Sequence, residues 1–471
     1  MRRTYKVLMT IILLTMLGSK ALLAKESIVG DWSGTLDIQG TPMSLVFHIK
    51  QENNNEYTAT MDSPDQGASG IQVSKVDFNN NVVRLEVAIA QGFFEGKLSS
   101  DGKSIEGSWV QGHNFPLVLK KNQELKVPQR PQEPKKPYPY KSQEVSYPNT
   151  EAGITLAGTL TIPQGKGPFP AAILISGSGP QDRNQMIMGH KPFLVLADHL
   201  TRQGIAVLRF DDRGVGESTG DFSQATSLDF STDVEAGLKF LQSQQFIDAK
   251  RIGLIGHSEG GLIAPIVAAN NQDVAYSVLM AGPGISGMDI SLAQARAILS
   301  ASGLSEAGID GAVSLNRAYI ETLLDESATK EMIQGSFDLA WQELSPSVKE
   351  ELKAMGGLQL TEQQFELLLS PWYRYFAFHK PQEWLRKVKS PVLAINGEKD
   401  FQVLADSNLT AIEQALKEGG NTRYAIVKFP GLNHLFQEAD TGQMNEYARI
   451  EQTFSPVALN TISEWILKNV E

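Results

Sequence analysis

The chain has 471 residues, 41% of them hydrophobic and 20% charged, with a formal net charge of −11 and no cysteine. That length exceeds one compact core and suits two or three domains. The acidic balance excludes a nucleic-acid binder of the basic-patch kind. The missing thiols exclude a disulfide framework, a thiolate zinc site, a cysteine nucleophile and a lipidated cysteine.

Residues 1–24 read as a signal peptide. Arg2, Arg3 and Lys6 give a positive start, Val7 to Leu17 an apolar run, and Ala24 a small residue for cleavage. The run is short for a bilayer span, so a periplasmic or secreted protein is expected, with a short membrane anchor as the competing reading. No later segment is long and apolar enough to span.

Residues 25–122 are expected to form an all-β accessory domain, a small barrel or sandwich. Short alternating runs recur at 32–38, 43–49, 57–61, 71–78, 82–87, 93–98, 104–110 and 115–119, parted by turn residues such as Asn79 to Asn81 and Asp101-Gly102. Trp32 and Trp109 are expected in its core, the alternative being a ligand cavity. Residues 123–142 carry Pro128, Pro131, Pro134, Pro137 and Pro139, and read as an extended linker.

From residue 143 to 471 the pattern becomes α/β. Continuously apolar runs at 171–176, 206–210, 252–256, 277–281, 392–396 and 425–429 alternate with helical periodicity at 196–203, 231–244, 260–269 and 405–418. This predicts a parallel sheet covered on both faces. An insertion at about 286–380, rich in Ala, Leu, Glu and Gln, reads as a helical cap, with Thr361/Gln364 as a capping box and Ser345-Pro346 as a helix start.

Gly256-His257-Ser258-Glu259-Gly260 fits G-x-S-x-G between an apolar strand and a small-residue helix. That context suits a serine nucleophile on a tight turn, with the Glu259 amide at the helix start as an oxyanion donor. Gly216-Glu217-Ser218-Thr219-Gly220 fits the same pattern but follows a polar turn, so it reads as structural, with Asp211 and Arg213 holding a loop. A serine hydroxyl needs a base. Only His379 and His434 follow Ser258; His434 lies in a loop past an apolar strand and is preferred. The loop Gly397-Glu398-Lys399-Asp400 offers Asp400 as orienting acid and Glu398 as fallback. Ser176-Gly177-Ser178-Gly179-Pro180 offers the Ser178 amide, then Gly179, as second oxyanion donor.

These motifs, with Phe210-Asp211-Asp212-Arg213-Gly214 and Gly431-Leu432-Asn433-His434, make residues 143–471 resemble α/β-hydrolases of the serine aminopeptidase-like and bacterial carboxylesterase branch. The resemblance implies a triad Ser258, Asp400, His434 in that order, hydrolysis or transfer of acyl groups, and no bound cofactor; no metal is expected, since no His or carboxylate cluster has ligand spacing and cysteine is absent. Glu259 departs from the commonest pattern, which has an uncharged residue there; this puts an acidic acyl substrate in doubt. The resemblance does not extend to the β domain. The expected activity is hydrolysis of a small-molecule carboxylic ester through an acyl-enzyme. The alternatives are a serine peptidase or aminopeptidase, a thioester hydrolase, or an envelope ligand-binding protein with a vestigial hydrolase domain.

Overall fold

The computed structural model describes residues 27–470 apart from 39–40, 53–55, 67, 124–127, 301 and 356–358. The signal peptide expected at 1–24 lies outside these. One compact unit comprises the chain to Lys126, save Asp65–Gly67, and the other begins at Val127.

The first unit is an antiparallel sheet of β1 (Gly30–Ile38), β2 (Thr41–Gln51), β3 (Tyr57–Ser63), β4 (Ala68–Gln72), β5 (Lys75–Asn79), β6 (Val82–Val87), β7 (Gly92–Leu98), β8 (Ser104–Gln111) and β9 (His113–Lys121). The order is β4-β3-β2-β1-β9-β8-β7-β6-β5. The run expected at 71–78 is two strands. Between them the chain passes from one edge of the sheet to the other in two residues, with Val73 N donating to Ala59 O (3.1 Å) and Ser74 N to Glu86 O (2.7 Å). The sheet must therefore be rolled, its edges side by side, so that alternate side chains face inward. Trp32 and Trp109 sit in that interior with Phe47 and Phe94. Trp32 donates Nε1–H to Ile28 O at 2.6 Å, which satisfies its one polar atom.

The second unit is built on β10 (Lys141–Asn149), β11 (Ile154–Ile162), β12 (Phe169–Ile175), β13 (Ala206–Phe210), β14 (Ile247–His257), β15 (Ser277–Met280), β16 (Val392–Gly397) and β17 (Tyr424–Phe429). Their order is β10-β11-β13-β12-β14-β15-β16-β17. The strands from β13 to β17 pair in parallel, whereas β10, β11 and β13 pair antiparallel. Strands β13, β15 and β16 are buried at every position, as a sheet covered on both faces requires. On one face lie α2 (Ser227–Gln242), α3 (Gly260–Asn270) and α11 (Ala405–Glu418); on the other lie α1 (Pro192–Arg202) and α13 (Pro456–Val470). The edge hairpin β10–β11 is new relative to the sequence reading. Its outer strand is half exposed and polar, so no apolar run announced it.

Between β15 and β16 come α4 (Gly287–Ser300), α5 (Glu306–Thr322), α6 (Lys330–Glu343), α7 (Pro346–Ala354), α8 (Glu362–Leu369), α9 (Pro371–Phe378) and α10 (Pro381–Leu385). Ser345 caps α7 with Pro346 in its first turn, and Thr361 with Gln364 forms the capping box of α8. Among the described residues, no helix is long and apolar enough to cross a membrane.

The proline-rich stretch is not a free spacer after Pro128. Arg130 donates to the carbonyls of Met188 (3.2 Å), Gly189 (3.3 Å), Ala448 (2.7 Å) and Ile450 (2.9 Å). Gln132 Oε1 accepts from Thr453 N and Phe454 N, and its Nε2 donates to Phe454 O. Prolines cannot join a ladder, but the side chains between them bind the second unit.

Candidate active site

The turn from β14 to α3 brings the backbone close on all sides. A Cβ on Gly256 would lie 2.0 Å from Gly260 O, one on Gly260 2.1 Å from Ile175 O, and one on Gly261 2.6 Å from Gly282 Cα. Only glycine fits at these three positions, because the opposing atoms are backbone and cannot turn aside. Between them Ser258 takes φ +55°, a left-handed conformation costly for a residue with a Cβ. Its amide donates to Met280 O (2.8 Å), and its carbonyl accepts from Gly261 N (2.8 Å). The hydroxyl-bearing residue is thus held on a strained turn at the carboxyl end of a central strand.

His434 lies in the loop after β17, and its Nδ1 bonds Asp400 Oδ2 at 2.8 Å. The other oxygen, Asp400 Oδ1, accepts from Gln402 N (2.8 Å) and Val403 N (2.9 Å). Both residues are buried, so the pair is fixed and shielded from water. Glu398, the fallback acid, is exposed and accepts from Gly431 N (3.2 Å) instead. His379 caps the end of α9, packs at a tilt against Tyr375 and has no hydrogen bond at Nε2.

His257 joins the two loops. Its ring centroid is 4.8 Å from that of His434. Nε2 meets His434 O at 2.9 Å, and Nδ1 meets Gln185 Nε2 at 2.6 Å. A carbonyl only accepts, so Nε2 carries the proton. Burial, with the nearby His434 charge, pushes the His257 pKa down to about 3, so the ring is neutral and Nδ1 accepts from Gln185.

The carboxyl of Glu259 is buried beside the turn. It accepts from Ser227 Oγ (2.6 Å) and from Trp372 Nε1 on α9 (2.8 Å). Burial raises its pKa, and these donors oppose the shift. As the N-cap of α3, Glu259 has its own amide ahead of the first intrahelical bond. The loop bearing Ser178 is braced by Asp212, whose Oδ1 accepts from Ser176 Oγ (2.7 Å) and Oδ2 from Gln181 N (2.9 Å). Burial, with a smaller push from the Glu259 charge, raises the Asp212 pKa to about 7. Gly179 in that loop has φ +88°.

Ser218 is buried. It donates to Asp211 O (2.7 Å) and accepts from Ala157 N (2.9 Å). Arg213 pairs with Asp233 at 2.8 Å, whereas Asp211 pairs with Arg183. The second G-x-S-x-G is thus a fastening of the loop after β13. Sequence reasoning missed the His257–Gln185 bridge and the braces at Asp212 and Glu259. The only signal was that polar residues stand in otherwise apolar or glycine-rich runs. Among the described residues, no group of three or more His, Asp or Glu could hold a metal ion.

Beside the Asp400 loop, a cleft of about 230 Å³ is lined by Gln294 and Ile298 of α4, Phe401, Gln402 and residues 443–445. On α9, Trp372 stacks on Phe376 at 5.3 Å, while Tyr373 joins the apolar core of the cap with Leu292, Ile320 and Phe365.

The serine aminopeptidase (S33) family matches residues 191–315. The chain is 28% identical over 284 residues to "Esterase EstD" of Thermotoga maritima, covering 59% of this chain and 58% of that protein. It is 24% identical over 248 residues to "Esterase FrsA" of Klebsiella pneumoniae, covering 50% of this chain and 56% of that one. Its matches therefore span little more than half the length of these relatives. A Pyrococcus furiosus esterase structure aligns with TM-score 0.43 at 15% identity, over 74% of this chain and 100% of that one.

Proposed function

The chain belongs to the α/β-hydrolase superfamily, and from that premise we propose that it cleaves carboxylic esters of small molecules through an acyl-serine. The observation that carries the reading is the buried 2.8 Å pair of His434 and Asp400, tied through His257 to the strained turn of Ser258. His434 Nε2 takes the proton of Ser258 Oγ as the oxygen attacks the ester carbonyl. Asp400 keeps Nδ1 protonated and the ring in place. The amides of Glu259 and Ser178 receive the negative charge on the carbonyl oxygen. His434 then gives its proton to the leaving alcohol, and the same base activates water to free the acid. The esterase names of two relatives support this choice of substrate over an amide.

The test is labelling with a fluorophosphonate probe, followed by p-nitrophenyl esters set against amino-acid amides. Covalent labelling of wild type and none of Ser258→Ala, with ester turnover exceeding amide turnover, is the expected result. Turnover of amides alone would make it a peptidase. An unlabelled wild type would leave a ligand-binding protein on a hydrolase scaffold. Export rests on residues 1–24, and fractionation of cells expressing the full chain should recover it outside the cytoplasm.

A further inference from the structure

A second cleft, of about 490 Å³, opens where β10, β11 and β13 meet the segment 182–194, and none of the proposed catalytic residues lines it. Among its lining residues is Arg209, on β13 between Leu208 and Phe210. The side chain is only 4% exposed as part of a buried residue. Its Nη1 donates to Asn184 Oδ1, a neutral acceptor. Its Nε has no hydrogen-bond partner at all.

The surrounding carboxylates are already committed. Asp211 and Glu144 pair with Arg183. Asp182 accepts from the amides of Asn184 (3.1 Å) and Met186 (2.9 Å). Lys191 is held by Glu133 at 3.0 Å. The exposed Lys136 stands at the same cleft without an ion-pair partner among the described residues. Tyr138 and Tyr140 form a wall, their rings stacked 5.3 Å apart, with Tyr140 OH donating to Asp198 at 2.8 Å.

A guanidinium keeps its proton in a protein, and a buried one is costly unless an anion meets it. Burial lowers the Arg209 pKa to about 10, which leaves it charged at neutral pH. The carboxylates lining the cleft, Glu144, Asp182 and Asp211, bond other groups and none accepts from Arg209, whose guanidinium stands at the cleft. We propose that this cleft binds a small oxyanion group, a phosphate, sulfate or carboxylate, whose oxygens accept from the part of the Arg209 guanidinium that lines the cleft and from the Lys136 ammonium. Arginine's planar fork suits that class of ligand better than a halide. The site is separate from ester cleavage, so it stands or falls independently of that reading.

The experiment is calorimetric titration of the full chain with inorganic phosphate, sulfate and acetate at constant ionic strength, with chloride as reference. At least one of the three is expected to bind saturably. Phosphate and sulfate without acetate would identify a tetrahedral group, and acetate alone a carboxylate; either supports the site. Lys136→Ala, at an exposed position, should weaken binding about fivefold or more, and a folded Arg209→Gln should abolish it. Should Arg209→Gln fail to fold, Lys136→Ala decides alone. No saturable binding of any of the three, or binding unchanged in Lys136→Ala, overturns the proposal.

Discussion

Ser258 carries two costs that can be separated by mutation. Its left-handed φ of +55° is strain, and its hydroxyl is the proposed nucleophile. Ser258→Ala should lower kcat by roughly four to six orders of magnitude, and Ser218→Ala should leave it within a few-fold if folding is intact. Ser258→Gly should be equally inactive yet more stable than Ser258→Ala by about 1 kcal/mol, because glycine adopts that φ freely. Denaturant titration of the two variants checks this, and equal stabilities would mean the turn stores no strain. Asp212 supplies a pH test. Its folded pKa, raised to about 7, lies above the usual unfolded carboxylate value, so the folded state holds the proton longer. Wild type therefore loses stability from this group as pH rises from about 4 to about 7. Asp212→Asn lacks that loss, so its Tm relative to wild type should rise over the same interval. A difference independent of pH would show that Asp212 is ionised throughout. At this scale the candidates Ser258, Asp400 and His434 came from motif and order, and the structure joins the last two at 2.8 Å. The braces could not be read that way, because their partners are remote: Gln185 lies 72 positions from His257, and Trp372 lies 113 from Glu259.

The strand–turn–helix at Ser258 depends on backbone meeting backbone. Gly256→Ala places a methyl 2.0 Å from Gly260 O, which neither side can avoid. Overpacking of this kind costs about 1–3 kcal/mol or more, and the displaced turn should also shift Ser258 and lower ester turnover. A variant with normal Tm and normal ester turnover would mean the turn relaxes without penalty. The proline-rich stretch makes the opposite point about reading elements. Its prolines announce an extended chain, and that reading overlooks Arg130 and Gln132, whose polar groups bond loop carbonyls and amides of the second unit. Arg130→Ala strips donors from four carbonyls in two loops and should destabilise by about 2 kcal/mol or more, as lost bonds from a charged donor do. The apolar runs of the central sheet were legible because burial on both faces leaves little choice of residue. The hairpin β10–β11 was not, since a half-exposed edge strand needs no such run.

At the scale of the molecule, the two units carry separate hydrophobic interiors, one inside the rolled sheet and the others on the two faces of the α/β sheet. All proposed catalytic groups lie in the second. A chain beginning at Pro128 should therefore fold and turn over small activated esters within a few-fold of the whole protein. Beginning instead near Tyr138, where composition alone would put the cut, removes Arg130 and Gln132 and should lower Tm measurably. A Pro128 start that folds but loses more than about a hundredfold in kcat/KM, some 2.7 kcal/mol, would make the first unit part of the reaction. The first unit's strands were legible from their alternation, but their rolled closure was not, since it rests on one two-residue crossing at Val73-Ser74. The position of the cap in the chain has a further consequence. Among the described residues seven helices separate β15 from β16, so the serine is made long before its proposed acid and base. A growing polypeptide that has passed Gly282 but not reached β16 holds the residues of the turn at Ser258 and neither the proposed base nor the proposed acid. Synthesis would thus deliver a chemically silent precursor, and hydrolysis would begin only when about the last sixth of the sequence, from β16 onward, has arrived and folded.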